Sequence, residues 1–296
     1  MTVAYLAADG FEQELAVELG SRVLERHGRL FLASEGTRPA WAQNVWLAPE
    51  RLAVRSIKDA AQQLRDRQRN WALYSHEHHR RAVLIDAALP HVSAKPIAPF
   101  SPPPSAPLGS FMLLDRDTVL ASASCESAFP NGAVRFLEDR EGPPSRAYLK
   151  LWEALTLAGE WPREGDRVVD LGSAPGGWTW VLAERGASVT SVDKAPLAPA
   201  VGALCNVTER RESAFGLDPA SVGPVDWVFS DIICYPDRLE RLVDRWAESN
   251  PDARFVVTIK LQGETDHAAV ARFQAKAGRV VHLAHNRHEL TWLRGV

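Results

Sequence analysis

Residues 168–179 read Val-Val-Asp-Leu-Gly-Ser-Ala-Pro-Gly-Gly-Trp-Thr. Two β-branched residues lead into Asp170, and glycines follow at once, the pattern of a buried strand breaking into a tight turn. Gly172, Gly176 and Gly177 allow backbone to approach a ligand where a Cβ would clash. Pro175 stiffens the turn, and Trp178 opens the apolar helix Trp178-Thr179-Trp180-Val181-Leu182-Ala183. Strand, glycine turn and helix make the ligand-binding corner of a doubly wound α/β domain.

The corner also restricts its ligand. A dinucleotide site wants G-x-G-x-x-G with pyrophosphate on the helix N-terminus. Here Ser173, Ala174 and Pro175 follow the first glycine, so that pattern fails. A phosphate loop wants Lys-Ser or Lys-Thr after its last glycine, where this chain has Trp178-Thr179. An acid at the strand end followed by a glycine turn suits a cationic, phosphate-free nucleoside such as S-adenosylmethionine. Ala187-Ser188-Val189-Thr190-Ser191-Val192-Asp193 reads as a second strand ending in an acid, about 20 residues on, where a carboxylate accepts from ribose hydroxyls. The plain alternative is an ordinary glycine turn in a structural domain.

With 296 residues and a hydrophobic fraction of 46%, the chain can build one large or two modest cores. No apolar run nears the roughly 18 residues of a membrane span, and the first residues lack a signal-peptide pattern. Cys125, Cys205 and Cys234 have no metal-ligand spacing, and a reduced, cytoplasmic protein is expected. A monomer is the simplest expectation. The net charge is −3, with 13 Lys/Arg against 11 Asp/Glu in residues 1–100 and 21 against 26 afterwards. Any polyanion must therefore meet a local patch. The segment 65–81 offers Arg65, Arg67, Arg69, Arg80 and Arg81, interleaved with Trp71 and Tyr74, a mixture able to contact RNA phosphates and stack bases; a solvated helix end is the alternative. His76-Glu77-His78-His79 lacks the i, i+4 histidine pair of a helical zinc site, and no metal is expected.

Residues 91–107 hold six prolines and read as a linker. Residues 1–90 read as a small α/β N-terminal domain. Its expected elements are a strand at 3–6, an amphipathic helix at 11–27, strands at 30–34 and 44–47, a helix at 56–64 capped by Ser56, and a strand at 82–86. Residues 108–296 read as the second domain, opening with a hairpin at 110–114 and 118–123 around Asp115-Arg116-Asp117. A helix follows Ser145, its expected cap. From Arg167 strands and helices alternate, and the chain ends in an antiparallel hairpin on a mostly parallel sheet.

Four charged residues stand out by position. Lys150 lies in an apolar helix, and Asp231 ends the strand Asp226–Ser230. Lys260 ends Phe255-Val256-Val257-Thr258-Ile259, and Glu289 starts the last strand. In a doubly wound sheet the carboxyl ends of the parallel strands share an edge. An antiparallel strand beginning at Glu289 brings that acid to the same edge. Two lysines and two acids then converge beside the cofactor.

The set Lys150–Asp231–Lys260–Glu289 behind Asp170-Leu171-Gly172-Ser173-Ala174-Pro175-Gly176-Gly177-Trp178 resembles the FtsJ-like RNA ribose 2′-O-methyltransferases, whose hallmark is a Lys-Asp-Lys-Glu tetrad. The runs Pro144-Ser145-Arg146, Ile259-Lys260-Leu261 and Arg287-His288-Glu289-Leu290-Thr291 are similar to members acting on large-subunit ribosomal RNA, as is the short stretch Gly10–Leu15. The resemblance implies a Rossmann-like, S-adenosylmethionine-dependent methyltransferase domain acting on ribosomal RNA. It also implies a cofactor site from Asp170 to Trp178, with Asp193, Glu212 near the adenine, and Asp231. A ribose hydroxyl is a poor acid, so a lysine base needs a pKa far below its usual value of about 10.4. Lys260 is the expected base, its pKa lowered by burial and by Lys150. Asp231 then positions Lys260, and Glu289 holds Lys150. Two other readings stay open: a methyltransferase for a base, protein or small molecule, and a non-catalytic RNA-binding assembly factor. Ser230-Asp231-Ile232-Ile233 lacks the Asn/Asp-Pro-Pro-aromatic run common in base methyltransferases.

Overall fold

The computed structural model describes residues 1–296 and divides them into two units. The first comprises Met1–Ile97 and Pro102–Arg135, the second Ala98–Ser101 and Phe136–Val296.

The first unit opens with β1 (Thr2–Ala7), α1 (Glu12–Leu19), β2 (Val23–His27), β3 (Leu30–Ser34) and β4 (Ala42–Trp46). These strands form an antiparallel sheet of order β2-β3-β1-β4. The helix expected to run to residue 27 stops at Leu19, because Gly20 takes φ +54°. Residues 23–27 instead alternate between half-buried and exposed and pair with β3 as an edge strand. Next come β5 (Glu50–Ala53), α2 (Ile57–Arg67), β6 (Trp71–Leu73), α3 (His79–Ala87), β7 (Gly109–Leu113) and β8 (Thr118–Ser122). Ser56 Oγ accepts from Asp59 N at 3.1 Å, so the expected cap of α2 is present. The strand expected at 82–86 is helix α3. Ala82 and Ile85 are buried while Val83 and Leu84 are half exposed, a helical spacing that Ala-Val-Leu-Ile hides in sequence.

The second sheet has the order β5-β8-β7-β6. The hairpin β7–β8 was expected to open the methyltransferase domain. It pairs with β5 and β6 instead, so it is part of the first unit, which reaches Arg135. Ala4, Leu6, Leu32 and Trp46 from one sheet pack with Met112 and Leu120 from the other.

The second unit contains α4 (Tyr148–Ala158), β9 (Arg167–Leu171), α5 (Gly177–Glu184), β10 (Ser188–Val192), α6 (Pro199–Gly202), β11 (Val207–Arg210), β12 (Trp227–Ser230), α7 (Pro236–Ser249), β13 (Arg254–Lys260), α8 (His267–Ala275), β14 (Arg279–Val281) and β15 (Glu289–Arg294). One seven-stranded sheet runs β11-β10-β9-β12-β13-β15-β14. The first five strands are parallel and β15 is antiparallel to both its neighbours. This is a Rossmann-like α/β architecture with an antiparallel terminal pair. The sheet centre is mainly apolar: Val168, Val169, Phe229, Val256, Val257 and Leu293 are all buried, beside the buried hydroxyls of Thr258 and Thr291. Edge strand β11 was not expected, since Val-Thr-Glu-Arg carries little apolar signal. Ser145 does not cap α4, whose N-cap position is Ala147 and has no side-chain cap.

Trp292 of β15 is 1% exposed and packs on Phe255 and Phe273. Trp292→Ala should cost about 3–5 kcal/mol, seen as an earlier urea midpoint by circular dichroism. An unchanged midpoint would show that β15 is not held by this packing.

Candidate functional site

Strand polarity puts Asp170, Asp193, Asp231 and Lys260 at the carboxyl ends of β9, β10, β12 and β13. The antiparallel register of β15 sets Glu289 directly opposite Lys260. Helix α4 brings Lys150 from the other direction. Lys150 Nζ lies 2.9 Å from Asp231 Oδ1 and 2.5 Å from Glu289 Oε1. Lys260 Nζ lies 2.6 Å from Asp231 Oδ1 and 2.6 Å from Glu289 Oε2. The four groups close a ring of alternating charge in which both lysines share one oxygen of Asp231. Lys150 and Glu289 are buried, at 6% and 8% exposure.

The ring neighbours set the direction in which Asp231 and Lys260 titrate. Burial works against the Asp231 carboxylate, but Lys150 and Lys260 together outweigh it and hold the group below the usual carboxylate range. Burial likewise works against the Lys260 ammonium, but Asp231 and Glu289 outweigh it and hold its pKa above the ordinary lysine value. The lowered Lys260 pKa expected from sequence is thus not found in this arrangement. Two carboxylates face Lys260 against one ammonium.

A cavity of about 310 Å³ is lined by Asp170, Gly172, Ser173, Ala174, Pro175, Gly177, Trp178, Asp193, Asp231 and Lys260, all singled out in sequence. Ser145, Ala147, Ile232 and Ile233 complete the wall. A second cavity of about 190 Å³ shares Gly172, Asp193 and Ile232 with the first and adds Glu212 and Phe215. Gly176 lines neither. Its φ is +110°, and a Cβ there would meet Val201 and Leu197, so its role is to seat the turn. Gly172 differs from expectation too. A Cβ on it would lie 2.7 Å from Ile232 Cβ and 2.8 Å from Ile232 Cα, and its φ is +81°; a side chain would strain the fold before it reached a ligand.

The acids divide by environment. Asp170 is 1% exposed. Burial pushes its pKa up to about 7, against the hydrogen bond that Thr179 Oγ1 donates to its Oδ2 at 2.7 Å. Its Oδ1 is buried without a hydrogen-bond partner. Asp193 accepts from Ala174 N at 3.1 Å and Ala195 N at 3.0 Å, which fixes its carboxylate at the rim. Glu212 is turned to Arg210, whose Nε donates to it at 2.7 Å. Trp178 Nε1 donates to Ala147 O at 2.9 Å, tying the first turn of α5 to the start of α4.

One acid escaped the sequence reading. Glu153, one turn beyond Lys150, is 1% exposed and accepts from Ala284 N at 2.7 Å, His285 N at 2.9 Å and His285 Nδ1 at 2.6 Å. It anchors the loop that delivers Glu289 to the helix that carries Lys150. The available signal was an acid amid Leu-Trp-Glu-Ala-Leu, costly to bury unless several donors surround it.

In the first unit the 65–81 patch comes apart. Trp71 and Tyr74 are core residues at 2% and 7% exposure. Trp71 Nε1 donates to Leu64 O and Gln68 O, and Tyr74 OH accepts from Arg29 N. Neither is available for stacking, because Trp71 opens β6 and Tyr74 follows its last residue, both turned into the core. Arg67 is paired with Glu50 at 2.6 Å, and Arg65 reaches Ala88 O and Gln62. Arg81 has two buried guanidinium nitrogens; Arg69 and Arg80 remain exposed. No group of three His, Cys, Asp or Glu side chains is placed to hold a metal ion, and no helix is long and apolar enough to cross a membrane.

The chain matches the FtsJ-like methyltransferase family over residues 143–282. It is 37% identical over 186 residues to ribosomal RNA large subunit methyltransferase M of Halorhodospira halophila, covering 60% of this chain and 54% of the relative. It is 39% identical over 180 residues to the protein of that name from Aromatoleum aromaticum, covering 55% and 48%. The chain thus spans about half the length of the curated relatives it matches. Among solved structures, Aeropyrum pernix fibrillarin with natively bound S-adenosyl-L-methionine is 16% identical with a TM-score of 0.39, over 62% of this chain and 81% of that one.

Glu153→Ala should leave the loop donors at 284 and 285 without an acceptor, at about 1–3 kcal/mol each. Amide exchange in residues 284–289 should quicken while the β9–β10 region keeps its protection. Equal exchange in wild type and variant would remove Glu153 from the anchor.

Proposed function

We propose that this protein, whose residues 143–282 match the FtsJ-like methyltransferase family, transfers a methyl group from S-adenosylmethionine to a ribose 2′-hydroxyl of RNA. The class we assign is ribosomal RNA, as in the names of its relatives, and the compartment is the cytoplasm. The observation that carries the reading is the closed Lys150–Asp231–Lys260–Glu289 ring, two members of which, Asp231 and Lys260, line the trough beside the glycine turn.

The trough suits the cofactor. Asp170 Oδ1, buried and without a partner, wants a donor, and a cation beside it restores the ionised form that burial opposes. Asp193 stands at the rim, where a carboxylate accepts from ribose hydroxyls. The bound cofactor supplies a methyl group on a sulfonium. The protein's part is to orient the acceptor oxygen and to take its proton. Lys150 and Lys260 present ammonium groups that hold an incoming hydroxyl by hydrogen bonds, and Asp231 and Glu289 fix both lysines in register. Lys260 is held charged at rest. It loses its proton to solvent more readily once an incoming cation engages Asp231, because one of the two carboxylates that raised its pKa is then shared.

Lys260→Ala should lower the rate of methyl transfer to ribosomal RNA about 10²–10⁴-fold, with cofactor affinity by calorimetry nearly unchanged. Nuclease digestion should show the label on ribose and not on bases. The pH profile supplies a signed test. A rate that needs neutral Lys260 rises with pH, and since Asp231 and Glu289 raise its pKa in the free enzyme, the limb in kcat/KM should lie above the ordinary lysine value of about 10.4. The limb in kcat should lie lower, and Lys260→Ala should lose both. Near-full activity of that variant would falsify the tetrad mechanism.

Asp193→Ala should weaken cofactor binding by about 1–3 kcal/mol, since it removes a ribose acceptor and the partner of Ala174 N. An unaltered dissociation constant removes Asp193 from the site.

A further inference from the structure

Folding buries the aromatics of the 65–81 patch, and a different feature of the first unit offers a built surface for RNA. A cleft of about 770 Å³ lies wholly within the first unit, larger than the trough of about 310 Å³ in the second. Its volume falls in the range of about 300–1,000 Å³ typical of ligand sites. The proline-rich segment read as a plain linker supplies one wall. Ile97 N donates to Arg135 O at 2.9 Å, which ties that segment to the opposite strap.

The lining has a definite chemistry. Arg29, His91, Lys95 and Arg135 face a single acid, Asp9. Arg29 is held by Ala7 O at 3.3 Å and stands 5.9 Å from the Tyr74 ring centroid; its contact with Asp9 is a loose 3.7 Å to a side chain 94% exposed. Lys95 and Arg135 are exposed, and neither has a carboxylate within ion-pair distance. Three amides, Gln43, Asn70 and Asn131, line the same space. Asn131 sits at φ +54° with Nδ2 donating to Leu73 O at 3.1 Å, and its Oδ1 is buried without a partner. A buried amide oxygen left unpaired is costly unless a ligand donates to it. Pro96, Pro104, Pro107 and Pro130, with Leu108 and Phe129, add an apolar wall.

Unpaired cations beside amide edges and an apolar wall match a chain that is anionic along its backbone and carries apolar-faced, hydrogen-bonding bases. An acidic peptide would use the cations but leave the amides and the wall without a role. We propose that this cleft binds a short single-stranded segment of the RNA substrate, with Lys95, Arg135 and Arg29 on phosphates and Asn131 on a base edge. The proposal rests on the reading of the protein as an RNA methyltransferase and adds where the RNA is gripped.

The test uses the full chain and a labelled single-stranded RNA of mixed sequence, followed by anisotropy across a salt series. Lys95→Glu with Arg135→Glu should weaken binding by tenfold or more and make the log–log salt slope shallower by about 1.4, at about 0.7 per lost phosphate contact on a single strand. Asn131→Gly keeps the left-handed backbone available and removes the amide, so affinity should fall with the slope unchanged. Arg69→Glu with Arg80→Glu, outside the cleft, should change affinity little. Wild-type affinity and slope in the Lys95/Arg135 pair overturn the cleft while leaving RNA methylation standing. Displacement by polyglutamate as readily as by RNA overturns the ligand class. RNA binding that the pair weakens, without methyl transfer by the wild type, supports the cleft and overturns the proposed function.

Discussion

The second unit is organised around the cost of placing four charges where little water reaches them. A single buried ammonium or carboxylate would be expelled or neutralised. Lys150, Asp231, Lys260 and Glu289 avoid this by closing a ring of net charge zero, with N–O distances between 2.5 and 2.9 Å. Each member is costly without the others, so the elements carrying them are constrained together. Parallel strands β12 and β13 must end at the same level. Strand β15 must run the other way, so that its first residue meets the last of β13. Helix α4 must lie across that edge. Glu153 adds the remaining restraint, from α4 to the loop before β15.

The same electrostatics separate the resting site from a working one. At rest every charge in the ring is matched, which favours its assembly and opposes proton release from Lys260. Asp170 stands in the opposite condition: buried, short of donors and with its pKa pushed up to about 7. A positively charged ligand stabilises the ionised Asp170 and competes for Asp231. In the proposed reaction one added charge would complete the cofactor pocket and loosen the hold on the lysine. The ring and the pocket act as one electrostatic unit because Asp231 and Lys260 line both.

What the sequence made legible follows from how local each feature is. The turn at 172–177 was readable because a strand, glycines and an apolar helix are adjacent in the chain. The tetrad was readable because strand direction fixes which end of the sheet each charged residue occupies, and Lys and Asp at the ends of apolar strands are conspicuous. Local signals failed where the partner was remote. Residues 23–27 look helical until β3 is there to pair with them. The run at 82–86 is apolar enough for a strand, and only its burial on one face shows a helix. The hairpin at 109–122 sits past a proline-rich stretch, yet its edges pair back with strands near residues 50 and 71. Composition could not reveal that connection.

Charge counting failed for a related reason. A near-balance of 13 basic and 11 acidic residues in the first 100 says nothing about which cations are already engaged. Arg38 is taken by Glu126, Arg51 by Glu25 and Arg67 by Glu50. A cation so paired offers a polyanion little, because its nearest counter-charge is a few ångströms away and the pair is nearly invisible beyond the Debye length of about 8–10 Å. Binding capacity therefore resides in the unpaired cations. The interleaved arginines and aromatics of 65–81 scored well as a linear motif, but folding sends the aromatics inward and pairs one arginine. Lys95 and Arg135, forty residues apart and unremarkable in sequence, are left facing a shared cleft. For a protein of net charge −3, the sites open to an anionic partner are set by which ion pairs the fold has already made, and the fold settles that pairing residue by residue.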